Sequence, residues 1–236
     1  FFKMLITYLI PVYNEKKTIK KAIEVIRPLK IDKEIIIIDN GSNDGTQAVL
    51  QNYKQQKNFK IIIQKKNMGF GNTMQIGLRK SKGKYIFIHF SDLEYDHLCS
   101  LKMIEIAKKK NADVVFASRI KKNISIKEIL RMILQRPPWL ATIVTTFLIN
   151  NFYNYRFTDI IGTKLYKKNS IIKLIPKIKG PGFDFEFISK ICKNKLKVEE
   201  CFIKYKPRSN SKEKKIKPYH MINALFAIIK VKLTNL

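Results

Sequence analysis

The sequence predicts an α/β protein built on a central, mostly parallel sheet. Short, unbroken runs of Ile and Val alternate with segments of helical periodicity through the first half of the chain. Strands of a parallel sheet are buried on both faces, and for that reason they read as continuous apolar runs rather than as alternating ones. The length of 236 residues suits one substantial domain of this class.

The predicted elements of the first half follow one another in β–α order. The strand-like runs are MLITYLI, EIIIID, FKIIIQ, KYIFIHF and ADVVFAS, at 4–10, 34–39, 59–64, 84–90 and 112–118. Helices are predicted after the first run, from about Thr46, over 72–81 and over 97–110. The first of these helices has apolar residues at helical spacing, namely Ile19, Ala22, Ile23 and Ile26.

The second half of the chain is less regular. Residues 137–155 contain an apolar stretch with an aromatic end, which suits either a core helix or an interfacial membrane helix. Residues 182–194 alternate acids with aromatics before a predicted helix, and 197–209 form a predicted strand that leads into a basic tail. The last stretch predicts an amphipathic helix with apolar positions Met221, Leu225, Ile228 and Ile229.

The charge of the chain is strongly positive. There are 47 Lys and Arg residues against 18 Asp and Glu residues, a formal net charge of +29. Such a field favours nucleic acid, an anionic bilayer surface or phosphorylated substrates, although a composition rich in Ile, Lys and Asn also accounts for it. No recognition-helix module is present, and the aromatics are not interleaved with the basic runs, so we do not expect nucleic-acid binding.

Cysteines and apolar runs bear on the expected location. Cys99, Cys192 and Cys201 are widely spaced and form neither a CxxC motif nor a zinc pattern, which favours a reduced intracellular compartment. No run of about 18 apolar residues occurs, so we do not expect the chain to cross a membrane by itself. The apolar beginning of the chain is interpreted as a strand rather than a signal peptide.

Several common motifs are excluded. GFGNTM at 69–74 ends in Met where a dinucleotide fingerprint has its third Gly, and it does not follow the first strand. GLRKSKGKY at 77–85 has five residues between its glycines and Tyr in place of Ser or Thr, so it is not a P-loop. No GxSxG occurs, and the three histidines lack metal-binding spacing.

Polar loops follow four of the predicted strands, at 11–15, 39–46, 67–72 and 90–96. In a parallel sheet these loops gather along one edge, where ligands bind. PVYNE offers an aromatic ring to stack on a base and a carboxylate to accept hydrogen bonds. We expect DNGSNDGT to display Asp39, Asn40 and Asp44 on a tight loop, although simple turn chemistry also explains this composition.

The loop FSDLEYD at 90–96 carries three acids. Asp92 and Glu94 are two residues apart, a spacing suited to one hard cation that also touches a diphosphate. Asp96 precedes a predicted helix and is interpreted as its cap. Phe90 stands at the start of this loop, where a further acid would complete the set.

Several stretches of the chain carry a recognisable pattern when they are taken in order. They are IPVYNE, IIIDNGSNDGT, NMGFGNTMQIGLRKSKGKYIFIHFSDLEYD, ADVVFASR and GFDFEFISKI, followed by VEECFIKYKPRS and KKI. Together they resemble glycosyltransferase family 2, and most closely its dolichol-phosphate mannosyltransferase-like, or polyprenyl-phosphate glycosyltransferase, branch. The resemblance implies a GT-A fold over 1–204, with a nucleotide-sugar half (1–120) and an acceptor half (121–204) that includes a possible interfacial segment at 137–150. A basic tail and an amphipathic helix follow over 205–236.

The resemblance also implies which residues bind the donor. Pro11, Tyr13 and Glu15 match the nucleotide-binding loop of the family, and Asp39 belongs to the next loop. Asn40 stands where the family usually has the second Asp of an Asp-Asp-Gly-Ser motif, the residue that reads the base edge. An amide both donates and accepts hydrogen bonds, so the base preference of the family does not transfer to this chain.

The DxD motif of the family is altered in this chain. Asp92 matches its last Asp, Phe90 replaces its first, and Ser91 lies between them as a further expected donor contact. Glu94 matches the Gln or Glu that completes metal binding in related sequences. The resemblance therefore implies a divalent cation, Mg²⁺ or Mn²⁺, held by Asp92 and Glu94, with the loss of one acid at Phe90.

The remaining implied residues lie on the diphosphate and acceptor sides. Arg119 matches an Arg near the sugar diphosphate, and Lys164 resembles the Lys of a later Asp…Lys motif whose spacing here is one residue short. Glu186 lies on the acceptor side and is a candidate catalytic residue with Asp92 and Arg119. A basic segment expected near the phosphates carries the last matches, which are Arg208, Ser209 and Lys215.

The implied activity is inverting transfer of a hexosyl group from a GDP- or UDP-sugar to a polyprenyl or dolichyl phosphate, within cell-envelope glycan biosynthesis. The implied location is cytoplasmic and peripheral, on the inner face of an anionic membrane, with a separate membrane-anchoring subunit as a possible partner. Two alternatives stay open: a transferase acting on a saccharide hydroxyl, with Glu186 or Asp184 as general base, and a catalytically weakened relative that binds a nucleotide sugar without turnover.

Overall fold

The structure, a computed structural model, describes residues 5–207 and 220–234. Within these ranges seven strands form one mixed sheet in the order β3-β2-β1-β4-β6-β5-β7. Their bounds are β1 Ile6–Val12, β2 Lys33–Asp39, β3 Phe59–Ile63, β4 Tyr85–Ile88, β5 Val114–Ser118, β6 Lys164–Lys167 and β7 Val198–Phe202. Only β6 runs antiparallel to its neighbours, β4 and β5. The predicted α/β class with a mostly parallel sheet is confirmed.

Helices cover both faces of this sheet. Their bounds are α1 Ile19–Ile26, α2 Thr46–Gln51, α3 Phe70–Lys80, α4 Cys99–Lys109, α5 Ile126–Gln135, α6 Pro138–Tyr153, α7 Lys168–Ile171, α8 Phe183–Lys193 and α9 His220–Leu233. The four apolar positions predicted for α1 are all buried. Side chains of successive residues in a strand point to opposite faces, so the central strands feed two hydrophobic clusters, one on each side of the sheet.

The order of the strands contains one reversal. β2 and β3 extend the sheet to one side of β1, whereas β4 pairs with β1 on its other side, and all these pairings are parallel. A crevice forms at such a reversal, outside the carboxyl ends of the strands, and ligands of open α/β sheets bind in it. The loops that follow β1 and β4 are those that begin at Tyr13 and His89.

Several predicted boundaries shift. β1 continues through Val12, so Pro11 is a buried strand residue and not part of the loop. The acids of 182–194 do not precede a helix but lie in the first turn of α8. Neither α5 nor β6 was predicted. The short segment of β6 contains two lysines and lacks an apolar run, so its sequence does not indicate a strand.

Of the four apolar positions predicted for the last helix, Ile228 is buried, Met221 and Leu225 are half-buried, and only Ile229 is exposed. The buried residues of this helix are Ala224, Ala227, Ile228 and Val231, whereas Ile229 is 43% exposed. The alanines allow α9 to approach α8 closely, since a Cβ placed on Gly182 would lie 3.4 Å from the Ala227 Cβ. The alanines therefore allow the close approach of α9 to α8, and Ile228 and Val231 complete the buried face of the helix.

Two further expectations concern the cysteines and the membrane-spanning potential of the helices. All three cysteines lie in the described residues, where each is buried and unpaired. In the described part of the chain no helix combines the length and the apolar character needed to cross a bilayer.

Candidate functional site

The loops after β1 and β2 interlock through side chains that cap each other's backbone. Hydrogen bonds join Asn14 N to Ser42 Oγ (2.8 Å), Glu15 N to Thr46 Oγ1 (2.9 Å) and Lys16 N to an Asp44 carboxylate oxygen (3.0 Å). Burial acts to raise the pKa of Asp44, but the hydrogen bonds from Thr46 and Lys16 outweigh it and lower the pKa. The two loops therefore form one preorganised unit at the crevice.

Asp39 and Asn40 are buried inside this unit, and the expectation that the loop displays them is wrong. Asp39 accepts hydrogen bonds from Ser42 N (3.1 Å) and Gln47 Nε2 (2.9 Å). The Asn40 amide donates to Asn67 Oδ1 (3.0 Å) and accepts from the backbone N–H of Met68 (2.9 Å). An Asp at position 40 could accept from Met68 but could not donate to Asn67, which gives a structural reason for the amide.

The expected nucleotide-binding residues of the first loop occupy different environments. Tyr13 is half-buried at the crevice. The Glu15 carboxylate accepts a hydrogen bond from Thr18 Oγ1 (2.7 Å), next to the start of α1. Pro11 is buried within β1.

The acidic loop after β4 contains a strained turn. Leu93 has φ of 60°, a left-handed conformation that costs a residue other than glycine on the order of 1 kcal/mol. The turn is held by a hydrogen bond from Glu94 N to Asp92 Oδ1 (3.2 Å). Ser91 is buried, and Asp96 accepts from Leu98 N (3.0 Å), one turn before α4 begins at Cys99. Strain of this kind is typical of functional sites.

Phe90 belongs to an aromatic cluster. Its ring stacks on Phe70 with centroids 6.5 Å apart and contacts Tyr95 at 5.8 Å. Phe70 in turn meets Phe183, at the start of α8, edge to face. Phe90 is therefore accommodated by packing, and through Phe70 its ring links the acidic loop to α8.

Arg119 and Asp159 form a buried ion pair beside this cluster. Arg119 Nε lies 2.6 Å from Asp159 Oδ2 and Nη2 lies 3.1 Å from Oδ1, and the backbone N–H of Arg119 also donates to this carboxylate (3.0 Å). Burial opposes the charge of each group, but the pairing outweighs it: the pKa of Asp159 is lowered and that of Arg119 is raised. The guanidinium also lies over the rings of Trp139 (4.6 Å) and Tyr205 (5.1 Å).

Two lysines in the second half of the chain pair with acids in the first turn of α8. Lys164 is buried, and its Nζ donates to Gly162 O (3.0 Å) and approaches Asp184 Oδ2 at 3.4 Å. Glu186 pairs with Lys190 one turn further along α8, at 2.7 Å. Lys164 thus lies within the protein, at the start of β6, while Asp184 and Glu186 are both held as partners of ammonium groups.

Residues that the sequence did not single out complete the site. Tyr205, three residues after β7, donates from its hydroxyl to Glu94 Oε2 (2.7 Å). Burial and the Glu94 carboxylate raise the pKa of Tyr205, so the hydroxyl stays protonated at neutral pH. Glu200 on β7 accepts hydrogen bonds from the Thr158 and Asp159 backbone (2.8 and 3.2 Å) and so fixes the loop that carries Asp159. Only tertiary contacts reveal these roles.

The donor atoms of the acidic loop are suited to a hard cation. Mg²⁺ is commonly held by one or two carboxylates together with substrate phosphates, and Asp92 and Glu94 provide two carboxylates on one preorganised turn. In the part of the chain that the structure describes, no group of three or more His, Cys, Asp or Glu residues could hold a metal ion. Asp92 and Glu94 remain the expected ligands, two carboxylates that would need oxygen atoms from a donor diphosphate to complete the coordination of an ion. Arg208, Ser209 and Lys215 lie outside the described residues.

Comparison with known proteins gives relatives in sequence. Abequosyltransferase RfbV of Salmonella typhimurium is 28% identical over 195 residues, which cover 78% of this chain and 56% of that protein. Poly-β-1,6-N-acetyl-D-glucosamine synthase of Staphylococcus epidermidis is 31% identical over 105 residues, 44% of this chain and 26% of that protein. The chain thus spans less than two thirds of the length of either relative.

A solved structure and a family model agree with these relatives. Glucosyl-3-phosphoglycerate synthase of Mycobacterium tuberculosis, crystallised with Mn²⁺, UDP-glucose and phosphoglyceric acid, matches with a TM-score of 0.68 at 13% identity, over 98% of this chain and 80% of that one. This likeness shows the GT-A fold. The model of the family described as glycosyl transferase family 2 matches residues 7–175, well over half of the chain. The chain is a family 2 glycosyltransferase with a GT-A fold.

Proposed function

We propose that the protein is an inverting hexosyltransferase of the dolichol-phosphate mannosyltransferase type, which uses a GDP- or UDP-sugar and a polyprenyl phosphate at a membrane surface. The observation that carries the proposal is that the candidate site lies next to helices whose outer surfaces are apolar. Trp139, at the start of α6, packs on Arg119, while α5 and α6 expose large apolar side chains to the outside. A lipid-linked acceptor requires such an arrangement, because its phosphate must reach the site while its chain stays in lipid.

Helix α5 exposes a continuous stripe of large apolar side chains. None of the α5 residues is buried, and Ile126, Leu130 and Leu134, spaced four residues apart, are 76%, 54% and 82% exposed. Lys127 and Arg131 lie beside this stripe on the same helix. Amphipathic helices of this kind lie in the interface of anionic bilayers, where apolar burial adds to attraction by basic side chains.

Two neighbouring helices extend this pattern. The buried face of α6 consists of Thr142, Thr145, Thr146 and Ile149, whereas its Phe147 is 63% exposed. α9 contacts α6 and exposes Ile222, Phe226 and Leu233. With a net charge of +29, these helices support peripheral attachment to the inner, anionic face of a membrane, with or without a separate anchoring subunit.

The donor would bind in the crevice between the ends of β1 and β4. Tyr13, Glu15, Asp39, Asn40 and Ser91 belong to the loops that shape the nucleotide part of this crevice. Asp92 and Glu94 would hold the divalent cation, which when bound supplies positive charge against the diphosphate. Arg119 stays charged inside its ion pair, and as the match to the family's Arg near the sugar diphosphate it would face the leaving group, with Asp159 offsetting part of its charge.

The reaction itself requires little proton transfer. An oxygen of the acceptor phosphate forms a bond to the anomeric carbon from the face opposite the diphosphate, while the bond to the diphosphate breaks and its electron pair leaves with the nucleotide. A phosphate monoester has a second pKa of about 6 and is a charged nucleophile at neutral pH. The pairing of Asp184 with Lys164 and of Glu186 with Lys190 agrees with an acceptor that needs positioning more than a strong base.

A saccharide hydroxyl is the second candidate acceptor. The names of the sequence relatives, an abequosyltransferase and a poly-N-acetylglucosamine synthase, favour it. Such an acceptor loses a proton during attack and requires a general base, for which Glu186 is the candidate on the acceptor side.

A transfer assay distinguishes the two acceptors. The protein is incubated with labelled GDP- or UDP-hexose, Mg²⁺ or Mn²⁺, and either polyprenyl phosphate in vesicles or oligosaccharides. We expect label in the organic phase with polyprenyl phosphate, and little loss in the Glu186→Gln variant. Label only in oligosaccharide, with activity abolished by Glu186→Gln, would instead establish the second candidate.

Binding to vesicles tests the membrane surface separately. The Leu130→Glu variant places a charge in the exposed stripe of α5, and Leu101→Glu does the same at an exposed leucine of α4. We expect roughly tenfold weaker binding to anionic vesicles for the first variant only, since removal of a leucine side chain from lipid costs about 1–2 kcal/mol. Equal binding of the two variants would contradict the assignment of α5 to the membrane.

A further inference from the structure

Tyr205 connects the acidic loop to the buried ion pair. Its hydroxyl lies 2.7 Å from Glu94 Oε2, and its ring centroid lies 5.4 Å from that of Tyr95 in the same loop. Residues 95 and 205 also form an isolated antiparallel β-bridge. On its other side the ring contacts the Arg119 guanidinium at 5.1 Å and meets Trp139 edge to face at 6.1 Å.

Glu94 is held both at its backbone and at its side chain. The backbone N–H of Lys206 donates to Glu94 O at 2.9 Å, and the hydroxyl of Tyr205 donates to the carboxylate. A glutamate has three side-chain torsions to restrain, and a hydrogen bond to the carboxylate is what selects among its rotamers. The ring of Tyr205 is itself held among aromatic and guanidinium groups, so the donor of this hydrogen bond is fixed in position.

Carboxylates that bind metals are usually hydrogen-bonded by an outer group, and loss of that group weakens metal affinity about 10–100-fold. Phe90 leaves this chain with one acid fewer in the motif, so the orientation of the remaining carboxylates matters more. We propose that Tyr205 is a positioning residue, which orients the Glu94 carboxylate toward the divalent cation that accompanies the sugar donor. This inference rests on the proposed function, because it presupposes a cation bound with a nucleoside diphosphate.

The Tyr205→Phe variant tests the inference, since it removes the hydroxyl and retains a ring against Arg119 and Tyr95. Mn²⁺ affinity is measured by electron paramagnetic resonance in the presence of saturating UDP, and of saturating GDP in a second series. We expect the affinity of the variant for Mn²⁺ to fall about 10–100-fold, with nucleotide affinity in EDTA unchanged. The matched control is Tyr155→Phe, which removes a hydroxyl that donates to Leu196 O at 3.0 Å and should leave Mn²⁺ affinity as in the wild type.

A double-mutant cycle on Mn²⁺ affinity distinguishes a specific interaction between Tyr205 and Glu94 from a general loss of packing. In a Glu94→Ala background, Tyr205→Phe should weaken Mn²⁺ binding by less than threefold, because no ligand is left at position 94 for the hydroxyl to orient. Equal Mn²⁺ affinity in wild type and Tyr205→Phe would overturn the inference, as would an equal loss of nucleotide affinity in EDTA. If the wild type binds neither UDP nor GDP under any condition, the proposed function fails, an outcome distinct from the other two.

Discussion

The buried pair of Arg119 and Asp159 provides the sharpest test of how the site is held together. The Asp159 side chain is fully buried and that of Arg119 is 9% exposed. Asp159 accepts from three nitrogen atoms of Arg119 and from Ile161 N at 2.8 Å. The Asp159→Asn variant keeps the shape of the side chain but removes its charge, so the guanidinium would be left buried without a counter-ion.

The magnitude follows from the burial of this pair. Removal of one partner of a buried ion pair costs about 3–5 kcal/mol, because the other charge stays desolvated. Arginine does not relieve this cost by deprotonation, since its pKa is already above 12 in water and the fold raises it further. The expected loss is a large fraction of a typical unfolding free energy of about 5–15 kcal/mol.

Urea denaturation measures this loss, and the chain provides its own reporter. Trp139 is the single tryptophan, and its ring lies 4.6 Å from the Arg119 guanidinium carbon. We expect the fluorescence midpoint of Asp159→Asn to fall by roughly 1–2 M urea, given a slope of about 2–3 kcal/mol per molar. The control is Glu199→Gln, which breaks the exposed pair with Lys110 and should cost at most about 1 kcal/mol.

The dependence on pH provides an independent check. Because the pKa of Asp159 is lowered in the fold, its contribution to stability is complete at neutral pH and is lost as pH falls below its ordinary value of 3.8. The Asp159→Asn variant should lack that part of the acid dependence. If Asp159→Asn and Glu199→Gln shift the midpoint equally, the ion pair does not hold the site together and this reasoning is refuted.

Two further predictions concern His89 and Phe90. Burial lowers the pKa of His89 to about 4, so the free energy of unfolding should decline by up to about 3 kcal/mol as pH falls from 6.5 to 4. Urea denaturation of His89→Gln should not show this decline, and an unchanged decline would exclude His89 as its source. Phe90→Asp restores an acid to the motif and should tighten Mn²⁺ binding in the presence of UDP or GDP by at least tenfold, at a cost of about 1–3 kcal/mol in stability from lost ring contacts. Calorimetric titration measures the binding change, and no gain would show that position 90 does not face the cation.

Much of the fold could be predicted from the sequence. The Ile and Val runs of β1, β2, β4 and β5 are buried on both faces, so their composition specifies strands of a parallel sheet, whereas β3 is a half-exposed edge strand. α5 carried a usable signal, because Ser125 and Glu128 form a capping box at its start. β6 carried none, since its pairing with β4 and β5 brings the charged Lys164 into the interior, where only the contact with Asp184 makes it tolerable.

The candidate site was predictable in its location but not in its detail. Loops after parallel strands gather at one edge whatever their sequence, and this placed the acidic loop next to the first loop. The sequence could not indicate that Asp39 and Asn40 are buried, because the same residue types serve both turns and ligands. The link from Glu94 through Tyr205 to Arg119 joins residues more than 80 positions apart and depends on tertiary packing alone.

The most direct test of the central claim is a binding panel of GDP- and UDP-sugars, each with and without Mn²⁺ or Mg²⁺, monitored by thermal shift. A ligand at 100 times its Kd stabilises the folded state by about 2.7 kcal/mol, which gives a shift of several degrees. We expect sugars of one nucleotide to stabilise the protein, more so with the cation, and we expect Asp92→Asn to abolish the added effect of the cation. Absence of stabilisation by every member of the panel would contradict the assignment of a nucleotide-sugar site to this crevice.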